Sequence, residues 1–233
     1  MLIELSLIGT HYKRTLVLVE ALSLDKSLFV NKISQLKRDD LKDVMLDTKG
    51  LEKRISSLDQ KRLNEIFEIE QEKFFLRDSI SFTKEIRKRE VSQSKLRNIV
   101  LNKPYTKIFK MRFGLNPLVN TYESDWKWII RESYSEVLEV KNILITKEED
   151  HYFLFKRTGV YDNSLETNVL EYPLSEYSYF LLRLFESPIT LMEATNRLLL
   201  ELELESEREK KQIWNLTEFL IRELIFRMFI IPI

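Results

Sequence analysis

Residues 169–194 read VLEYPLSEYSYFLLRLFESPITLMEA, a strand, two helix starts and a helix stop within 26 positions. Val169-Leu170-Glu171-Tyr172 is a short β-like run, after which Pro173 and Ser175 open a helix carrying Tyr179, Phe180, Leu181, Leu182, Leu184 and Phe185. That helix stops at Ser187-Pro188, because proline disfavours helical backbone in the residue before it. Thr190-Leu191-Met192-Glu193 is a capping box, in which the threonine hydroxyl and the glutamate carboxylate each satisfy a backbone N–H of the first turn. A second helix therefore starts there.

Downstream, Ser206-Glu207-Arg208-Glu209 repeats the capping box and opens a third helix, predicted to bury Ile213, Trp214, Leu216, Leu220, Leu224 and Ile225. Met228 to Ile233 then leaves as an extended terminus. Upstream, Ile143-Leu144-Ile145 and Tyr152-Phe153-Leu154-Phe155 flank Lys147-Glu148-Glu149-Asp150 and read as a hairpin, with Gly159 and Asp162-Asn163-Ser164 as the next loop. A small antiparallel sheet followed by three helices is the order of a winged helix-turn-helix domain. The expected class is α+β, with a mostly helical N-terminal region over residues 1–110 and a winged-helix-like domain over 111–233.

The N-terminal region is less sharply written. Met1 to Val19 reads either as two strands or as an unusual first helix. Asp25 is placed to cap a helix with Leu28, Phe29, Ile33 and Leu36 on one face, and a short helix is expected over 40–48, ending near Gly50. Ser57 and Gln60 form a capping box for the longest helix, with Leu63, Ile66, Phe67, Phe74 and Phe75 at helical spacing. Its continuation over 84–110 is dense in base, including Arg87 and Lys88, and a boundary is expected between Pro104 and Gly114.

Composition excludes much. The chain has 233 residues, 44% hydrophobic, with 4 Gly and 5 Pro, which favours a helix-rich folded core over disorder. It has no Cys, so disulfides, thiolate metal sites and a cysteine nucleophile are absent, and a reducing, cytoplasmic setting is expected. Its two histidines, His11 and His151, lie far apart in sequence, no Gly-rich phosphate loop exists, and neither metal nor nucleotide cofactor is expected. Glu4, Lys13 and Arg14 interrupt the apolar start, and Arg222, Glu223 and Arg227 interrupt the apolar end, so neither a secretory signal nor a membrane span is expected.

Net charge is zero but unevenly spread. Residues 1–110 hold 23 Lys and Arg against 16 Asp and Glu, a net of +7, which leaves 14 against 21, a net of −7, for residues 111–233. The basic stretch 84–110 is the one candidate for phosphate contact, and a winged-helix regulator binding nucleic acid is the alternative reading. The third helix argues against that, since Glu207, Glu209, Glu218 and Glu223 offset its Arg and Lys residues.

Tyr152 to Phe155, Val169 to Ser175 and Leu181 to Ala194 resemble the leader-recognition elements of ribosomal peptide biosynthesis, small winged-helix domains that bind a precursor peptide. With Leu115-Asn116-Pro117 and Trp126 added, residues 115 to 231 resemble the C-terminal half of partner subunits that accompany multinuclear non-haem iron oxygenases of methanobactin-type pathways. Members usually carry Gly before the last apolar residues, where this chain has Arg227-Met228-Phe229-Ile230. The resemblance implies a non-catalytic accessory subunit without a cofactor of its own, whose partners are the precursor peptide and the iron oxygenase.

It further implies strand addition of the leader, in a groove between Val169, Leu170, Glu171, Tyr172 and the third-helix residues Trp214, Phe219, Ile221 and Arg222. Trp126 and Trp128, with Arg87 and Lys88, are the expected oxygenase-facing surface, since Trp is enriched at interface centres.

Overall fold

The computed structural model describes residues 11–35, 55–78, 83–133, 144–158, 168–202 and 206–233. These residues form a mixed α and β chain with two three-stranded sheets. The helices are α1 (Lys13–Ala21), α2 (Lys26–Gln35), α3 (Ser57–Asp78), α4 (Thr83–Leu101), α5 (Tyr105–Ile108), α6 (Glu176–Arg183), α7 (Leu191–Glu201) and α8 (Glu207–Phe226). The strands are β1 (Arg112–Leu115), β2 (Val119–Ser124), β3 (His151–Thr158), β4 (Asn168–Leu174), β5 (Ile189–Thr190) and β6 (Ile230–Pro232). The helix expected over 40–48 lies outside the described residues.

The chain divides into two interleaved compact units, one drawn from residues 1–81, 123–151 and 169–171, the other from 82–122, 152–168 and 172–233. In the first unit α1 packs on α3. Tyr12 stacks on Phe67 with ring centroids 5.4 Å apart, Phe29 meets Phe67 edge-on at 6.0 Å, and Leu16, Val19, Leu63 and Ile66 complete the core. Of the two readings left open for the N-terminus, helix holds for residues 13–21.

Asp25 begins α2 as expected, its carboxylate accepting from the Ser27 N–H at 2.9 Å. The capping register of α3 differs by one residue from expectation. Ser56 precedes the helix, and its hydroxyl accepts from the Asp59 N–H at 3.1 Å, because adjacent serines offer two equivalent starts. The basic continuation is a separate helix, α4, which ends before Pro104, and α5 begins just after that proline.

In the second unit β1 is the centre of an antiparallel sheet ordered β5-β1-β6, with Phe113 opposite Ile189 on one side and Pro232 on the other. Helices α6, α7 and α8 follow one another beside it, and both downstream capping boxes form as expected, Thr190 with Glu193 and Ser206 with Glu209. Asn116 ties α4 to this unit's backbone. Its amide exchanges hydrogen bonds with Gln93 at 3.0 and 3.2 Å and donates to the Met228 carbonyl at 2.7 Å.

The other sheet has the order β2-β3-β4. This corrects the expected hairpin. Leu144 and Ile145 form a helical turn, Ile143 lies outside the described residues, and β3 lies between β2 and β4. Three aliphatics in a row carry no period, so the run does not distinguish strand from helix.

Among the described residues two helices end in a left-handed residue that is not glycine. After α1, Ser23 has φ 57°, with the Ser23 N–H donating to the Glu20 carbonyl and Leu24 N–H to Val19, both at 3.0 Å. After α8, Met228 repeats the geometry, with Met228 N–H donating to Ile225 at 3.0 Å and Phe229 N–H to Leu224 at 2.8 Å. Both are Schellman caps, closed by a buried apolar residue, Leu24 or Phe229.

Candidate functional site

The third helix, α8, presents two faces. Thr217, Ile221, Leu224 and Ile225 are buried, and the Thr217 hydroxyl donates to the Ile213 carbonyl and meets the Tyr177 hydroxyl. Trp214 packs on Phe109 at 4.9 Å, and the Arg222 guanidinium lies over the Tyr105 ring at 5.2 Å while pairing with Glu218 at 3.5 Å. Burial and the Glu218 charge push the Tyr105 hydroxyl up to about 12. Ile221 is thus core, and Trp214 and Arg222 are engaged by aromatic neighbours beside them.

The other face is open. Leu216, Phe219 and Phe226 are 45%, 66% and 61% exposed, and with Gln212 and Glu223 they form one stripe at helical spacing. From Gln212 to Phe226 the stripe runs about 21 Å. Leu216, expected in the core, belongs instead to this stripe. Of the residues expected on the groove's helix side, Phe219 alone lies on it.

The strand side differs more. Val169, Leu170, Glu171 and Tyr172 are all buried, and Tyr172 packs edge-on against Phe229 at 4.9 Å with Arg227 over its ring at 5.3 Å. Strand β4 terminates its sheet, but its outer edge is met at the middle by Ser133, which receives the Glu171 N–H at 2.7 Å and donates to the Glu171 carbonyl at 3.1 Å. Pro173 has no N–H to offer a further strand. Leader pairing along β4 is therefore closed at Glu171 and weakened at Pro173.

Glu171 instead centres a buried ionic cluster in the first unit. Its carboxylate accepts from Nη1 and Nη2 of Arg14, at 2.9 and 2.5 Å, from the Lys73 ammonium at 2.7 Å and from the Ser133 hydroxyl at 3.2 Å. Burial works to raise this carboxyl, yet Arg14 and Lys73 outweigh it and hold it below the ordinary range. Burial lowers the Lys73 ammonium against the pull of Glu171.

Beside it Glu70 caps α1, whose own N-cap residue, Tyr12, supplies no side-chain bond. The Glu70 carboxylate accepts from the Arg14 N–H at 2.8 Å, the Thr15 N–H at 3.0 Å and the Thr15 hydroxyl at 2.8 Å, which satisfies donors that a helix start leaves open. Its burial still raises its carboxyl. A buried Arg14, a half-buried Lys73 and two buried carboxylates, each bonded within the fold, fit a structural lock between α1, α3 and β4.

Trp126 and Trp128, expected at a partner interface, are 0% and 2% exposed and belong to the core of the first unit. The Trp128 indole donates to Glu65 at 2.5 Å, while Lys61 and Arg62 lie over the Trp126 ring at 5.6 and 5.4 Å. Lys61 pairs with Asp125 at 2.8 Å and with Glu148, which pins the acidic turn expected between strands. The two Trp are placed for packing because α3 and the 125–129 segment face each other over them. Arg87 is half-buried and Lys88 exposed on α4.

His151 heads β3, half-buried, its imidazole lowered by burial and by the Lys127 charge. Among the described residues no group of three or more His, Asp or Glu side chains is placed to hold a metal ion, and no helix is long and apolar enough to cross a membrane. A cavity of about 410 Å³ in the second unit is lined by Arg112, Pro188, Thr190, Glu193 and Arg197, among others, but Glu193 is already committed to its capping box. Comparison with protein-family models, curated proteins and solved structures finds no match to this chain.

Proposed function

We propose that this chain is a non-catalytic partner that binds a ribosomally made precursor peptide and presents it to a multinuclear non-haem iron oxygenase, through a winged-helix-like C-terminal domain. The observation that carries the reading is the exposed Leu216, Phe219 and Phe226 stripe on a capped helix whose opposite face is packed. Three large apolar side chains open to solvent along one stripe mark a place for another chain. The order α6, β5, α7, α8, β6, with β1 between the two short strands, supports the winged-helix assignment.

The leader is assigned to α8 and not to the β4 edge, because Ser133 occupies that edge. An amphipathic leader segment laying its apolar side chains against the stripe uses the helix-surface mode of recognition. A nucleic-acid role through α8 is disfavoured, since Glu218 and Glu223 pair with Arg222 and Arg227 within the helix and leave it little free positive charge.

The test is co-expression with neighbouring open reading frames, followed by affinity purification and iron analysis, with Phe219→Ser alongside. Recovery of a short peptide and an iron protein by the wild type, with peptide loss in Phe219→Ser at unchanged melting, is the expected result. An exposed position tolerates that change within about 0.5 kcal/mol, whereas a central apolar contact is worth about 1–2 kcal/mol of binding. Peptide recovery equal in both proteins removes α8 from the site.

A further inference from the structure

Helix α4 carries a second open surface, unrelated in composition to the α8 stripe. Lys88, Arg89, Val91, Ser92, Lys95, Leu96, Asn98 and Ile99 are exposed, and at about 100° per residue they fill one half of the helix circumference. The opposite half carries Ile86, Glu90 and Val100, all buried, and Gln93, which is bonded to Asn116. Val91, Leu96 and Ile99 are 52%, 42% and 56% exposed.

Among the described side chains of this face the charge has one sign. Glu90, the one carboxylate among the described side chains of α4, is buried, and no ion pair engages Lys88, Arg89 or Lys95 among the described residues. Around the helix the order runs Asn98, Val91, Lys95, Lys88, Ile99, Ser92, Leu96, Arg89, so bases and aliphatics are interleaved and form no separate faces. A helix lying in a lipid surface separates its apolar and charged faces, which this one does not. A nucleic-acid strand would favour aromatic stacking platforms over exposed aliphatics, and this face has no aromatic residue.

We infer that the exposed face of α4 docks an acidic amphipathic helix of a partner protein, its aliphatic side chains seated among Val91, Leu96 and Ile99 and its carboxylates on Lys88, Arg89 and Lys95. Charge complementarity selects that occupant. Interleaved opposite charges across two helices set pairing, while the aliphatic contacts exclude water around them. The surface uses no residue of α8 and stands whether or not α8 binds a precursor peptide.

The test uses the full chain and a fluorescein-labelled helical peptide of about 18 residues, with Glu and Leu alternating on one face, long enough to hold helix in part. A control peptide carries Lys for Glu. Anisotropy titrations at roughly 50 and 300 mM salt separate screened from unscreened binding. The expected result is saturable binding of the Glu peptide, weakened by salt, at least about tenfold weaker for Lys88→Glu/Arg89→Glu/Lys95→Glu, several-fold weaker for Val91→Ser/Ile99→Ser, and unchanged for Phe219→Ser.

Lys88→Gln/Lys95→Gln, a milder change, repeats the comparison if the reversal variant melts early. No saturable binding of the Glu peptide, equal binding of the Lys peptide, or binding indifferent to the α4 variants overturns the inference. So does tighter binding of a 20-base-pair DNA or of phosphatidylglycerol vesicles that the same variants abolish. Loss of Glu-peptide binding in Phe219→Ser would place the peptide on α8 and also overturn it.

Discussion

Replacing Glu171 by Gln removes one charge at nearly constant volume from a cluster in which Arg14 and Lys73 share its carboxylate. Both cations are deeply placed, Arg14 at 2% exposure and Lys73 at 16%, so neither regains water without opening the fold. Breaking a buried pair by removing one partner costs about 3–5 kcal/mol, because the other charge keeps its desolvation cost. For a chain of this size each kcal/mol moves Tm by about 2–4 °C, so Glu171→Gln lowers Tm by about 6–20 °C.

Thermal unfolding followed by circular dichroism measures the Tm shift, and urea unfolding the free energy. The sign with pH is fixed by the lowered Glu171 carboxyl, whose contribution is full above the ordinary carboxyl value of 4.5 and fades as pH falls through its folded value. The gap between wild type and variant therefore narrows in acid below pH 4.5. The combined change Arg14→Met/Lys73→Met/Glu171→Leu recovers most of the loss, since a packed apolar cluster needs no ionic compensation. A loss below about 1 kcal/mol in Glu171→Gln, or a gap that widens in acid, would refute the lock.

Two further outcomes follow from single groups. The Tyr12 hydroxyl is buried with no hydrogen-bond partner among the described residues, so Tyr12→Phe should stabilise by about 1 kcal/mol in thermal melts; a lower Tm would show that the hydroxyl has a partner. Ser23→Gly relieves an exposed left-handed residue and should add about 0.5–1 kcal/mol, read from the urea midpoint, while Ser23→Val should lose at least as much.

The parts of this fold legible in the sequence are those whose partners lie within a few residues. Thr190 with Glu193 and Ser206 with Glu209 close their boxes over three positions, Asp25 caps two residues on, and Pro188 ends its helix through its neighbour. The strand Arg112–Leu115 escapes because four residues with a central Gly114 show no alternation, and β1 acquires its identity from Ile189 and Ile231, far along the chain. Leu216 reads as core because spacing gives a face but not which face the fold covers. Glu171 looks like part of an open edge, since nothing near it in sequence announces Arg14, Lys73 or Ser133. The α8 stripe is legible only through Phe219.

The Glu171 lock also sets a timetable for synthesis. Arg14 and Glu171 are 157 residues apart, so at cellular rates of about 5–20 residues per second the ribosome delivers the carboxylate on the order of 10–30 s after the guanidinium. During that interval the nascent α1 and α3 bring Arg14 and Lys73 together with Glu70 as their one carboxylate, a charge short of the finished cluster, and the apolar surface around Tyr12 and Phe67 waits with them. A truncated chain ending at residue 110 would hold that state permanently. Production of this protein from separated halves should thus give an insoluble N-terminal piece, and chaperone demand in the cell should fall on the first 170 residues.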